Sequence, residues 1–299
     1  MAAIKETLAD RVFNAVILVI LTLFLLIVAY PLYFIIIASF SDPTLVATGQ
    51  VLFYPRGLTL DAYLEVFRNK SIWIGYRNTI FYAVGGTLWS LFLTVPAAYA
   101  LSKKRLRGRA FFMFLVVVPM FFGGGMIPTY LNIRNLHLLN SWWVLILTCG
   151  VGSYNLILAR TFFSSSISPE LEEAAIIDGA SNFRIFTTIV LPLSKSVLGV
   201  LVLYCVVGQW NGYTAALVYL NNSQEKWPLA LFLRNILSKA EQLSNDAFSV
   251  STEQYLRNLH LANLLKYAVI IVSTVPLMIL YPIMQKFFEK GLMVGSVKG

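Results

Sequence analysis

Glu173-Ala174-Ala175-Ile176-Ile177-Asp178-Gly179-Ala180, followed by Phe186, Ile189 and Leu191-Pro192, lies between two long apolar stretches of the chain. Upstream, Ser168 stands where a helix N-cap belongs, with Pro169 at the first helical position and Glu170 and Glu172 in the first turn. Proline loses nothing there, and acidic groups suit the positive end of a helix. The predicted helix runs through Glu173 to Ile177 and stops at Asp178-Gly179, glycine being the residue best suited to the left-handed C′ position. Ser181 or Asn182 can cap a second short helix that carries Phe186 and Ile189, and Pro192 follows it. Ala174, Ala175 and Ala180 are small enough for another backbone to approach. Ile176, Ile177, Phe186 and Ile189 offer apolar anchors, and Glu173 and Asp178 offer charge to a cationic partner group. These features describe a rigid knob for a protein cleft. Taken alone, they equally describe an amphipathic helix that pads a bundle.

The flanks decide the solvent. The 299 residues are 58% hydrophobic and 12% charged, and mean hydropathy is +0.73, whereas a soluble domain carries about 25% charged residues. Such apolar mass needs lipid, and a span takes about 20 mostly apolar residues. Six segments qualify: 13–37, 78–101, 110–130, 141–162, 197–220 and 265–285. The fold class is therefore an all-α membrane protein. The first segment exceeds the apolar core of about 7–15 residues in a cleaved signal peptide, and it follows a mixed-charge lead of Lys5, Glu6, Asp10 and Arg11. Cys149 and Cys205 fall inside apolar runs and are expected to be buried thiols. His137 and His260 are far apart, HExxH is absent, and there is no GxxxxGK[ST] loop, so the chain has no P-loop of its own for ATP.

Lys103, Lys104, Arg105, Arg107 and Arg109 crowd the connection between the second and third segments, which places that loop in the cytoplasm. With six spans, both termini and the loop 163–196 are then cytoplasmic, in agreement with Lys286, Lys290 and Lys298 near the end. The loops 38–77, 131–140 and 221–264 face outside. The net charge of +9 follows from this bias and calls for no nucleic-acid partner. In the last outer loop, Pro228 to Lys239 places Leu229, Leu231, Phe232, Ile236 and Leu237 along an amphipathic helix. Such a helix either lies on the membrane surface or forms a lip for an external partner.

The spacing Glu173-Ala174-Ala175, Asp178-Gly179-Ala180, Phe186, Ile189, Leu191-Pro192 resembles the EAA loop of permease subunits of bacterial ABC importers. The ending Gly291-Leu292-Met293-Val294-Gly295-Ser296-Val297-Lys298-Gly299 resembles the tail of maltose-transporter-type sugar permeases, and the basic loop after Ala97-Ala98-Tyr99-Ala100 fits the same family. Gly123-Gly124-Gly125-Met126-Ile127-Pro128-Thr129-Tyr130 is similar to the polysaccharide and aldouronate-oligosaccharide subgroup. Ser196 departs from the proline that the family often has after the Leu-Pro pair.

The resemblance implies a type I importer fold with an N-terminus 1–12, a six-helix permease domain 13–290 containing the coupling loop 163–196, and a tail 291–299 that reaches between ATPase subunits. It implies a multi-pass protein of the bacterial plasma (inner) membrane. Its partners are a second homologous permease, two ATPase subunits that hold ATP and magnesium, and an external solute-binding protein. No cofactor is expected on this chain. The coupling residues would be Glu173, Ala174, Ala175, Asp178, Gly179 and Ala180, with Glu173 pairing a cation of the ATPase and Gly179 permitting the turn. The cargo would be an oligosaccharide, uronate-containing ones included.

Polar and aromatic side chains within spans are candidates for the solute path, with helix packing as the alternative for each. Gln209 and Tyr213 lie one turn apart with Trp210 and Asn211 between them, and Gly212 can loosen the helix. Tyr154-Asn155 forms a second pair, and Phe121-Phe122 stands beside the glycines of the third segment, where Pro119 and Pro128 can introduce kinks. Amides bond sugar hydroxyls, and aromatic faces stack on sugar rings. A self-contained secondary carrier is the less favoured alternative, because none of the six segments contains Asp or Glu for a coupling ion. An ABC permease for a non-sugar solute is the other.

Overall fold

The computed structural model describes residues 7–245 and 265–285. The tail 291–299, the lysines at 286, 290 and 298, and residues 1–6 lie outside the described residues. Every regular element among the described residues is helical. The chain forms two compact units, Met1–Arg68 with Ile236–Val272, and Asn69–Asn235 with Ser273–Gly299.

In the first unit, α1 (Leu8–Ser39) opens with a capping box. The Thr7 hydroxyl accepts from the Asp10 N–H at 3.2 Å, and the Asp10 carboxylate accepts from the Thr7 N–H at 2.9 Å. Its 32 residues rise about 48 Å, more than the roughly 30 Å of bilayer hydrocarbon. Its apolar side chains from Val16 to Ile27 are exposed on every side, as suits lipid. Two short helices, α2 (Pro43–Ala47) and α3 (Asp61–Arg68), follow. The Tyr63 hydroxyl donates to Ser39 Oγ at 2.7 Å, and the Tyr63 ring centre lies 5.1 Å from that of Phe40.

The second unit is built around α4 (Lys70–Ser102), which packs against α8 (Ser153–Ser166) and α12 (Lys195–Asn211). Between α4 and α8 come α5 (Arg109–Phe121), α6 (Met126–Asn135) and α7 (Trp143–Leu147). Between α8 and α12 come α9 (Pro169–Ile177), α10 (Asn182–Ile185), a π-helical turn Phe186–Val190 and α11 (Leu191–Leu193). α13 (Thr214–Tyr219) and α14 (Leu229–Asn245) follow α12, and the last described helix is α15 (Leu265–Gln285). One apolar core gathers Ala98, Leu101, Leu156, Phe163, Ala175, Ile185, Val190 and Leu201. A second, nearer the other end of α4, gathers Tyr82, Val144, Leu145, Ala216, Leu220 and Leu231.

Helices α1, α4 and α15 are long and apolar enough to cross a membrane uninterrupted. The third, fourth and fifth expected segments are interrupted. The segment 110–130 breaks after Phe121, and α5 and α6 bend by 116° across Phe122–Gly125. Three glycines stand at this break, Gly125 has φ of +83°, and Pro119 lacks the N–H that would hold the last turn of α5. The segment 141–162 divides into α7 and α8, with no helix at Gly150–Gly152. The segment 197–220 divides at Gly212 into α12 and α13.

The amphipathic helix expected over Pro228–Lys239 forms as the start of α14, but its apolar side is packed into protein. Leu229 and Leu231 are buried, and Gly75 of α4 lies so close that a Cβ there would meet the Leu229 Cα at 2.9 Å. Buried polar groups of α4 hold the approach to α14. The Asn78 amide donates to the carbonyls of Glu225 and Trp227, both at 2.9 Å, and Thr79 Oγ1 accepts from the Leu229 N–H at 2.8 Å.

Candidate functional site

The first helix of the knob forms with its predicted boundaries, Pro169–Ile177, whereas the second ends at Ile185, and Phe186 and Ile189 fall in the π turn that follows. Pro169 occupies the first helical position of α9, and Ser168 has the extended backbone of an N-cap. Its hydroxyl donates to the Glu170 carboxylate instead of capping a backbone N–H. The other end is a Schellman motif. The Ala180 N–H donates to the Ala175 carbonyl at 2.9 Å, the Gly179 N–H to that of Ile176 at 3.0 Å, and Gly179 has φ of +77°. Ser181 caps α10 by accepting from the Arg184 N–H at 3.3 Å. Pro192 does not terminate the second helix. The π turn Phe186–Val190 lies just before it and accommodates a ring that would otherwise crowd the carbonyl one turn back.

The two helices present distinct faces. Ala175, Ile185 and Val190 are buried, and Ala180, Phe186 and Ile189 pack against the same core. The small and apolar residues of the motif are thus partly spent inside this chain, and Ala175 and Ala180 face inward. Glu173, Ala174, Asp178 and Gly179 are exposed, flanked by Ile177 at 85% and Phe183 at 76% exposure. Phe183 escaped the sequence reading because it falls outside the motif spacing. Glu172 was read only as an acidic residue of the first helical turn. Its carboxylate pairs with Lys103 and accepts from the Tyr99 hydroxyl at 3.3 Å. Two grooves flank the knob. One of about 380 Å³ runs between Lys103–Arg105, Arg109 and the Glu172–Glu173 side of α9. The other, of about 590 Å³, is lined by Pro96, Leu106, Phe183 and Phe186 together with Arg105 and Arg107.

The second site is an open interior cavity of about 320 Å³ between α4, the α7–α8 break, α8 and α12. Gln209 and Asn155, two of the solute-path candidates, both line it, together with Ser90, Tyr204 and both cysteines. The Gln209 amide donates to the Leu145 carbonyl at 2.9 Å, and the Ser90 hydroxyl donates to the Gly150 carbonyl at 2.8 Å. Two carbonyls around the interruption are therefore held by side chains from other helices. Gly86 makes room for this arrangement, since a Cβ there would lie 2.5 Å from the Gln209 amide nitrogen. Asn155 Nδ2 lies 3.9 Å from Cys205 Sγ.

The remaining candidates stand apart from the cavity lining. Trp210 is buried and donates its indole N–H to the Ser273 carbonyl at 3.0 Å. Asn211 is exposed at the end of α12. Tyr213 is partly exposed beneath Arg234, whose guanidinium carbon is 5.1 Å from its ring centre. Tyr154 is exposed with its ring centre 6.0 Å from that of Tyr204. Phe121 and Phe122 are each 76% exposed beside the α5–α6 bend.

Residues 71–294 match the family described as the binding-protein-dependent transport system inner membrane component. The chain is 39% identical over 295 residues to the polygalacturonan/rhamnogalacturonan transport system permease protein YtcP of Bacillus subtilis, covering 97% of this chain and 99% of that protein. It is also 39% identical over 298 residues to protein LplC of the same organism, covering 98% and 97% respectively. Among solved structures, it matches a chain of a bacterial ABC transporter involved in the import of the acidic polysaccharide alginate. The TM-score is 0.83 at 36% identity, over 96% of this chain and 100% of that one.

Proposed function

The chain belongs to the family of inner membrane components of binding-protein-dependent transport systems, and from that premise we propose that it carries an oligosaccharide, acidic ones included, inward across a bacterial plasma membrane. It is a multi-pass permease subunit of an ABC importer, and ATP hydrolysis belongs to separate ATPase subunits. A solute-binding protein delivers the cargo. The finer assignments are ours. A second, homologous permease completes the path, and two ATPase subunits hold ATP and magnesium, with no cofactor on this chain. Lys103–Arg109 and the α9–α10 knob face the cytoplasm, with both termini on that side. The permease domain spans 13–290, with 163–196 as its coupling loop and 291–299 as a tail toward the ATPases.

The observation that carries this reading is the division of faces on α9 and α10. Glu173, Ala174, Ile177, Asp178 and Phe183 project from a capped knob whose other face is sealed into the core. A patch joining exposed large apolar groups to small and acidic ones suits a cleft in another protein better than water. The interior cavity supplies the second requirement, an open space between helices with the amides of Gln209 and Asn155 on its wall. The acidic class of cargo is supported by the relatives, one named for polygalacturonan and rhamnogalacturonan and one for alginate import.

The deciding experiment is a thermal-shift screen of the cognate binding protein against neutral and uronate-containing oligosaccharides, followed by uptake in proteoliposomes. Stabilisation by galacturonate or other uronate oligomers, and their uptake, is the expected result. Selective response to neutral sugars, or to a non-sugar solute, would overturn the assignment of cargo.

A further inference from the structure

We propose that Tyr99, Lys103 and Glu172 form the joint through which movement of α9 reaches the long helix α4, an inference that rests on α9 being the ATPase-coupling helix. With nine residues, α9 is too short to persist alone in water, where isolated helices below about 12–15 residues are marginal. It can carry a displacement as a rigid body only if its inner face is fastened. The one fully buried side chain on that face is Ala175, whose methyl group resists compression and little else.

Glu172 supplies the directional contacts. Its side chain is 15% exposed and is ion-paired with Lys103, itself 19% exposed. The same carboxylate oxygen accepts from the Tyr99 hydroxyl, and Lys103 Nζ sits 4.0 Å from the centre of the Tyr99 ring. The Tyr99 ring then touches Phe163 of α8, with centres 6.0 Å apart, and Phe186 of the π turn, at 5.1 Å. One side chain near the end of α4 thus meets α8, α9 and the segment leading to α12. An exposed ion pair holds little, but a pair withdrawn from water resists separation, because losing either partner strands a charge. Glu173 beside it stays exposed. The two adjacent glutamates therefore divide the work, Glu173 toward the partner and Glu172 toward the bundle.

The test uses the assembled transporter, with its partner permease and ATPases, in proteoliposomes. Amide exchange across residues 70–102 is measured with and without ATP plus vanadate, with basal ATP hydrolysis as the reference. Glu172→Gln and Lys103→Met are each expected to shrink the nucleotide-induced change at least about threefold while ATP hydrolysis persists. The reversed pair, Glu172→Lys with Lys103→Glu, recovers at least about half of it. Tyr99→Phe keeps the ring contacts and removes the hydroxyl, giving an intermediate loss, and it decides the matter if either single variant fails to assemble. Single variants that respond like the wild type would overturn the joint. If Glu173→Ala and Gly179→Val also respond like the wild type, the coupling-helix reading itself falls. If those two fail to respond while Glu172→Gln is normal, only the joint falls.

Discussion

Gly179 illustrates how one residue can be free of steric contact and still be hard to replace. Nothing lies within 4 Å of the position where its Cβ would be, but its φ of +77° is costly for any residue with a side chain. Gly179→Val is expected to add strain of about 1–2 kcal/mol at the C-terminus of α9. The amount of protein in the membrane should hardly change, and ATP hydrolysis stimulated by the binding protein should fall. Normal stimulation would show that the turn is dispensable. Glu173→Ala is expected to behave similarly, because the side chain is exposed and supports no internal contact in the described structure. Its effect should appear in uptake and not in thermal unfolding.

Gln209 is the reverse case. Its amide holds the Leu145 carbonyl, so Gln209→Ala leaves that acceptor without its partner. The expected cost is about 1–3 kcal/mol, read as a lower unfolding temperature of the purified assembly, in addition to any effect on uptake. Unchanged stability would return Gln209 to the role of a solute contact alone.

At the scale of elements, α4 acts as the frame for the approach to α14. Gly75 is pressed against the Leu229 backbone and Asn78 bonds two carbonyls ahead of it. Gly75→Leu would drive a side chain into backbone that cannot yield as a rotamer can, and loss of folded protein by size-exclusion chromatography is the expected outcome. Asn78 was read in the sequence only as the start of a span, because a polar residue at a helix boundary gives no sign of what it binds. The ends of α9 and the start of α10 were legible, since Pro, Gly and Ser act on their immediate neighbours, although the Ser168 hydroxyl turns to Glu170 instead of capping a backbone N–H. The faces of α9 were not: Glu172 and Glu173 are indistinguishable until Lys103 and Tyr99 are brought beside one of them.

The interruption of the fourth segment was hidden for a related reason. Gly150 and Gly152 stand at the break, but the groups that satisfy its carbonyls are tertiary, namely Gln209 and Ser90 reaching in from α12 and α4. The third segment did carry its signal in Pro119 and Gly123–Gly125, although the 116° bend did not follow from it.

For the whole molecule, the arrangement across the bilayer can be read by accessibility. Lys104→Cys and Ile177→Cys should react with a membrane-impermeant maleimide only when the cytoplasmic face is open to it, and Leu52→Cys only from outside. All three positions are exposed, whereas the native Cys205 is buried and Cys149 half-buried, so the chain without an added cysteine sets the labelling background. Labelling of Ile177→Cys from outside would reverse the proposed orientation.

The elbow between α5 and α6 has a consequence for the fate of this polypeptide in the cell. Gly123 and Gly124 have no neighbour within 4 Å in the space a Cβ would fill, and the backbone there is not helical. Irregular backbone cannot face hydrocarbon, because its amide and carbonyl groups would go unsatisfied. It must meet water or another polypeptide. A copy made without its neighbours would carry this bare turn into the lipid, and an orphaned copy is expected to be cleared by membrane proteases. Balanced synthesis of the proposed subunits is the outcome expected from the four residues of a single bend.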